Sequence, residues 1–130
     1  MLDTFDNARQ EWFDVAADDA VPGRRRGILR CASCAALLTF ARAAVAVGGK
    51  LRHVATNPAG ITFRFATFAS APGCVVNARA QAAHSWFPPA RWQCAHCGGC
   101  GTHCGWRFAV PDGASFHALI EDRLVEDDDA

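Results

Sequence analysis

Residues 94–104 read CAHCGGCGTHC, and this stretch holds four of the seven cysteines in the 130-residue chain. Two residues separate Cys94 from Cys97, and two separate Cys97 from Cys100. This spacing lets both sulfurs of a pair face one metal ion across a tight loop. The two glycines between Cys97 and Cys100 favour the second pair, because glycine tolerates the positive φ angles of such a loop. The first pair, with His96 beside it, stays open as an alternative.

A matching pair lies some sixty residues upstream, where Cys31 and Cys34 are also separated by two residues. Structural zinc takes four ligands in a closed tetrahedral shell. Two such pairs therefore predict one structural Zn²⁺, and His103 is not needed as a fifth ligand. An odd number of cysteines is unlike a secreted disulfide scaffold. A closed shell of four thiolates also leaves no open position for a catalytic zinc.

Composition excludes several classes of partner. The 13 basic side chains balance the 13 acidic ones, so no net field would attract nucleic acid or an anionic membrane. The first residues lack the positive charge and apolar run of a secretory signal, so we expect a cytoplasmic protein. The most apolar stretch, residues 34–48, is shorter than the roughly 20 residues that a membrane helix needs. We therefore expect no membrane span.

The pattern along the chain predicts one all-β domain with flanks. Residues 1–26 form an amino-terminal extension and residues 126–130 an acidic tail, which leaves residues 27–125 as the domain. From Ile61 to Thr67 apolar residues alternate with others, which predicts a strand with one buried face. Turn residues punctuate the rest and favour short antiparallel strands. Residues 35–47 are alanine-rich, so helix stays open there, although we favour strand.

Trp86, Trp92 and Trp106 lie within 21 residues and interleave with the second cysteine pair. Indoles this close together usually pack into a core, where each buries about 150–250 Å². Composition alone therefore favours a core.

Four segments together change that interpretation. Residues 84–92 (HSWFPPARW) are similar to the motif HSWFPGYxW, residues 97–108 (CGGCGTHCGWRF) to CxxCxxHxGWxF, and residues 57–60 to an NPxG turn. Residues 116–119 (FHAL) look like the motif FWGL. On these motifs the chain resembles the CULT domain family, which includes the thalidomide-binding domain of cereblon and free-standing bacterial relatives. The resemblance covers about residues 27–125.

The resemblance implies a fold, a metal and a site. The fold is the β-tent, in which two antiparallel sheets are pinned by one structural zinc. The zinc ligands are Cys31, Cys34, Cys97 and Cys100. The implied ligand-binding residues are Asn57, Pro58, His84, Ser85, Trp86, Trp92, Trp106 and Phe108. The implied ligand is a cyclic imide or uracil-like ring, such as a thalidomide-type glutarimide, uridine or a cyclic imide at a protein end. No catalytic residue is implied and no protein partner is identified.

The rival hypothesis is an enzyme. Methionine sulfoxide reductase B shares the β-tent and two zinc-binding cysteine pairs, and the spare thiols of Cys74 and Cys104 would suit redox chemistry. The sequence has no segment like that family's RxCxNS motif. His84 lacks a neighbouring carboxylate or nucleophile in sequence, so a structural or rim role is favoured over general-base catalysis.

Overall fold

The computed structural model describes residues 27–127. The predicted extension over residues 1–26 and the last three residues of the tail lie outside this range. In the described part the chain forms nine β-strands and no α-helix. The strands are β1 Ile28–Cys31, β2 Leu37–Phe40, β3 Arg52–Thr56, β4 Thr62–Phe68, β5 Cys74–Val75, β6 Arg91–Cys97, β7 His103–Ala109, β8 Ser115–Ile120 and β9 Leu124–Asp127. Short 3-10 turns occupy Ala41–Ala43 and Glu121–Arg123.

The strands form two antiparallel sheets. The smaller sheet has the order β2-β1-β9 and the larger has the order β3-β4-β8-β7-β6-β5. Every pairing within them is antiparallel. The predicted all-β fold with two antiparallel sheets is therefore confirmed. Within residues 27–127 no helix has the length and hydrophobicity to cross a bilayer.

The main core lies between the two sheets. Leu29 and Leu38 of the smaller sheet pack with Phe68 and Leu119 of the larger one, and all four are fully buried. Burying a side chain of this size stabilises the fold by about 1.5–3 kcal/mol. Gly73 lets the chain cross this junction, since a Cβ there would lie 1.8 Å from the Leu37 carbonyl oxygen.

Strand β4 is buried on both faces over its second half. Phe65 joins an aromatic cluster on the outer face of the larger sheet, whereas Ala66 and Phe68 face the core between the sheets. Ile61, by contrast, precedes the strand and is 53% exposed. The predicted strand is present, but its one-sided burial holds only near its start, because β4 lies inside the sheet with apolar layers on either side.

Two sequence-based boundaries are corrected by the structure. The favoured strand over residues 35–47 extends only over Leu37–Phe40, and a 3-10 turn follows it. The acidic tail was predicted to begin at residue 126, yet Glu126 and Asp127 belong to β9 and pair with β1. The Arg30 guanidinium holds the Asp127 carboxylate at 2.9 Å, which offsets part of the charge repulsion in this acidic segment.

Candidate functional site

Four cysteines meet where the two sheets approach each other. Cys31 ends β1 and Cys97 ends β6, while Cys34 and Cys100 lie in the turns that follow. Their sulfurs all lie within 4.8 Å of one another. Cys31 and Cys100 sulfurs are 3.7 Å apart, and those of Cys34 and Cys97 are 3.6 Å apart.

These distances fit a tetrahedral zinc site. Zinc–sulfur bonds of about 2.3 Å at tetrahedral angles place the sulfurs roughly 3.8 Å apart. Backbone N–H groups support the ligands, because Ser33 donates to the Cys31 sulfur at 3.4 Å and Gly99 to the Cys97 sulfur at 3.3 Å. The Thr102 hydroxyl and backbone N–H lower the pKa of Cys100, whereas the pKa of Cys34, although opposed by the Ala36 N–H, is raised by burial and the neighbouring thiols, so a bound metal cation would be needed to hold all four sulfurs as thiolates.

The four cysteines thus form a site for one metal ion and fit the predicted structural zinc. The ion would join β1 of the smaller sheet to the β6–β7 turn of the larger one. The alternative pairing of Cys94 with Cys97 is wrong, because Cys94 lies outside the cluster.

The outer face of the larger sheet carries the aromatic residues. Trp106 and Phe108 project from β7, and Phe65 projects from β4. Trp86, from the loop before β6, stacks on Phe65 with centroids 5.4 Å apart and an interplanar angle of 12°. Trp106 is 7% exposed and Phe108 is 1% exposed, so the sheet supplies a rigid base for the loop residues above it.

A cavity of about 390 Å³ opens among these rings, and we call it the aromatic cavity. It is lined by Asn57, Pro58, Phe63, His84, Trp86, Trp92, Cys94, His103, Trp106 and Phe108. Seven of the eight residues predicted to bind a ligand are among them, and their role in binding stays a prediction. Composition alone favours a core position for all three tryptophans. Trp106 is buried as a core residue would be, whereas Trp86 and Trp92 are only half-buried.

Ser85 is the predicted residue that does not line the cavity. Its hydroxyl donates to the Ala90 carbonyl oxygen at 2.6 Å and accepts from the Phe87 N–H at 3.2 Å. Ser85 therefore shapes the loop that carries Trp86.

The other walls are held by hydrogen bonds between loops. The Trp92 indole N–H donates to the Ala83 carbonyl oxygen at 2.7 Å, and the Trp86 indole N–H to that of Thr56 at 3.3 Å. The Asn57 side-chain oxygen accepts from the Ile61 N–H at 2.9 Å and closes the turn between β3 and β4. These hydrogen bonds therefore fix the two loops that form the cavity rim, the β3–β4 turn and the loop before β6.

Phe63, Cys94 and His103 also line the cavity, although the sequence motifs predicted no such role for them. Strand periodicity places Phe63 with Phe65, and Cys94 with Trp92, so alternation could have found two of them. His103 contacts Trp106 edge-on at 5.2 Å, and its Nε2 lies 2.9 Å from the Gly105 carbonyl oxygen. Burial lowers the pKa of His103 and raises that of Cys94.

Fold and site define a class of protein: an all-β domain with two sheets joined by a four-cysteine metal site and an aromatic cavity on the larger sheet. No protein-family model matches the sequence. Over 54 residues, or 42% of the chain, the sequence is 38% identical to cereblon of Gallus gallus. This segment is 12% of that protein, so the chain corresponds to a small part of it.

Among solved structures, the crystal structure of the Mis18 'Yippee-like' domain shares the fold. It superposes with a TM-score of 0.53 at 13% identity, covering 78% of this chain and 94% of that domain. At this level of sequence identity the comparison supports a shared fold and nothing about function.

Proposed function

We propose that this chain is a non-enzymatic binding module that holds a cyclic imide or uracil-like ring in the aromatic cavity. The observation that carries the proposal is the convergence of Trp86, Trp92 and Trp106 around one cavity of about 390 Å³. Ligand pockets for small molecules typically span about 300–1,000 Å³. The local similarity to cereblon, whose CULT domain the sequence motifs resemble, supports the same class of ligand.

The chemistry of such a ring matches what the cavity offers. A cyclic imide is flat, with apolar edges and an acceptor, donor, acceptor array, and uracil presents the same array. Indole walls supply contact area with few torsions to immobilise. Within residues 27–127, the His84 carbonyl and the Trp86 N–H make no hydrogen bond. One can accept from the imide N–H and the other can donate to an imide oxygen, which would satisfy both polar groups.

The proposed affinity is modest. A glutarimide ring has about eight heavy atoms, and roughly −0.7 kcal/mol per atom corresponds to a Kd of tens of micromolar.

The absence of catalysis is part of the proposal. Among the described residues, no carboxylate lines the cavity. His103 has its Nε2 against a backbone carbonyl, and burial keeps the Cys94 thiol protonated by raising its pKa. Within the described residues no hydrogen bond joins the Cys94 thiol to the imidazole of His84 or His103, which supports a binding role over covalent catalysis.

Fluorescence titration of the zinc-loaded chain with thalidomide and with uridine tests the proposal. Saturable quenching in the tens-of-micromolar range is expected, because the ring stacks among three indoles. N-Methylation of the imide should abolish it by removing the donor. Trp92→Ala should abolish saturation, while Trp12→Phe, which changes the one tryptophan outside the described residues, should retain it. Normal binding by Trp92→Ala, or steady turnover of methionine sulfoxide, would contradict the proposal.

A further inference from the structure

Three of the seven cysteines lie outside the metal site, and two of them touch each other. The sulfurs of Cys74 and Cys104 are 3.3 Å apart. Cys104 is fully buried and Cys74 is half-buried. The third, Cys94, faces the aromatic cavity and makes no hydrogen bond to another sulfur in the described part of the chain.

A β-bulge brings these two thiols together. Ala95 pairs with Gly105 and His96 pairs with His103, so Cys104 between them has no partner across the β6–β7 ladder. A bulge of this kind re-aims the side chain of the extra residue. The Cys104 side chain consequently joins the core between the sheets, where Cys74 of β5 packs against it.

From this contact we infer a redox-modification site: Cys74 and Cys104 react with a hydroperoxide and close to an intramolecular disulfide. Cys74 attacks first, because it is the more accessible of the two thiols. Its sulfur takes the terminal oxygen of the hydroperoxide, the O–O bond breaks, and the other oxygen leaves with the thiol proton as an alcohol, or as water where the oxidant is hydrogen peroxide, which gives a sulfenic acid. The Cys104 sulfur then attacks the Cys74 sulfur, the S–O bond breaks, and the hydroxyl group leaves with the Cys104 proton as water. Two electrons pass from the two sulfurs to the peroxide.

The geometry requires little rearrangement of the sulfurs. They need to approach by roughly 1 Å to reach the S–S bond length of about 2.05 Å. The four metal-binding cysteines form a separate cluster, where a bound zinc would hold all four sulfurs as ligands. Among the remaining thiols, Cys94 has no second free sulfur in contact with it, so disulfide closure is selective for the Cys74–Cys104 pair.

The position of Cys74 gives the disulfide a structural consequence. The preceding residue, Gly73, donates to the Leu38 carbonyl oxygen at 3.0 Å and accepts from the Gly98 N–H at 2.8 Å. Cys74 itself pairs with the metal ligand Cys97. A bond to Cys104 would tie β7 to the segment that contacts both the smaller sheet and the metal loop. Since a cross-link constrains the unfolded chain, loss of zinc to a chelator should slow several-fold in the oxidised protein.

Limited hydrogen peroxide treatment of the zinc-loaded full chain, followed by thiol blocking and non-reducing peptide mass spectrometry, tests this inference. We expect a Cys74–Cys104 cross-linked peptide, a fall of two from the seven thiols measured in denaturant, retained zinc, and reversal by dithiothreitol. Cys74→Ala and Cys104→Ala should each lose the cross-link, whereas Cys94→Ala should keep it.

Zinc content before oxidation reports whether each variant folds. If Cys104→Ala fails to hold zinc, the Cys74→Ala variant alone tests the inference. Truncation at this half-buried position should disturb folding less than truncation at the fully buried Cys104. Unchanged thiols in the wild type, a cross-link through Cys94, or zinc release in step with thiol loss would each overturn the inference. None of these outcomes depends on whether the aromatic cavity binds a ring.

Discussion

The indole of Trp86 lies edge-on to that of Trp106, with ring centroids 4.9 Å apart and planes at 77°. The two residues have different supports. Trp106 projects from the middle of β7 and is buried, while Trp86 sits on the loop before β6 and is half-buried. One wall of the aromatic cavity is therefore part of the core, and the other depends on a loop.

This difference predicts unequal costs of truncation. Trp106→Ala should lower the free energy of unfolding by about 3–5 kcal/mol, the range for large aromatic residues in cores. Trp86→Ala should cost clearly less, because part of its surface already faces water. Urea denaturation of both zinc-loaded variants measures the difference. Equal losses would mean that Trp86 is as much a core residue as Trp106.

Metal content follows from the four-cysteine cluster. Elemental analysis should give one zinc per chain, lost in Cys97→Ser and in Cys100→Ser and retained in the matched control Cys94→Ser. Removal of zinc should unfold the domain, since a structural site contributes on the order of 10 kcal/mol. Zinc retained in Cys100→Ser but lost in Cys94→Ser would show that Cys94, and not Cys100, is a zinc ligand.

The loop that carries Trp86 should be sensitive to Ser85. Ser85→Ala removes the hydrogen bonds to Ala90 and Phe87 without removing a cavity wall. A hydrogen bond contributes about 1 kcal/mol, so ring binding should weaken by roughly fivefold. The fluorescence titration measures this, with the exposed Ser115→Ala on β8 as control. An unchanged Kd in Ser85→Ala would show that the loop keeps its shape without the hydroxyl.

The buried imidazole of His117 should make the stability of the fold depend on pH. Its buried Nδ1 has no hydrogen-bond partner among the described residues. Burial, with a smaller effect from the Arg107 charge, lowers the pKa of His117 from 6.5 to about 4. The unfolded chain then binds more protons below pH 6.5, so stability is full above that pH and falls as the pH drops towards 4.

Allowing for solvent screening at a site that is not fully buried, the loss is on the order of 1 kcal/mol. The measurement is the unfolding free energy of wild type and His117→Gln between pH 7 and 5. The variant should show the shallower slope. Acid also displaces zinc, but it does so in both proteins, so the difference between them isolates His117. Parallel slopes would contradict the prediction.

Much of the fold and of the candidate site could be predicted from local sequence. The two-residue spacings of Cys31–Cys34 and Cys97–Cys100 predict metal ligands, because a four-residue turn alone brings two sulfurs to one side. The alternation from Ile61 to Thr67 predicts a strand, since successive side chains in an extended chain point to opposite faces. The motifs around the tryptophans indicated which residues would gather, and the structure places most of them around one cavity.

Features that depend on the register between strands far apart in sequence were decided only by the tertiary structure. The bulge opposite Ala95 turned Cys104 away from its neighbours in sequence and towards Cys74. Pairing with β1 made a strand of Glu126 and Asp127, which in isolation are only acidic residues near a chain end. Spacing along the chain specifies which residues can meet within a turn, but the face a side chain occupies is set by pairing partners that are far away in sequence.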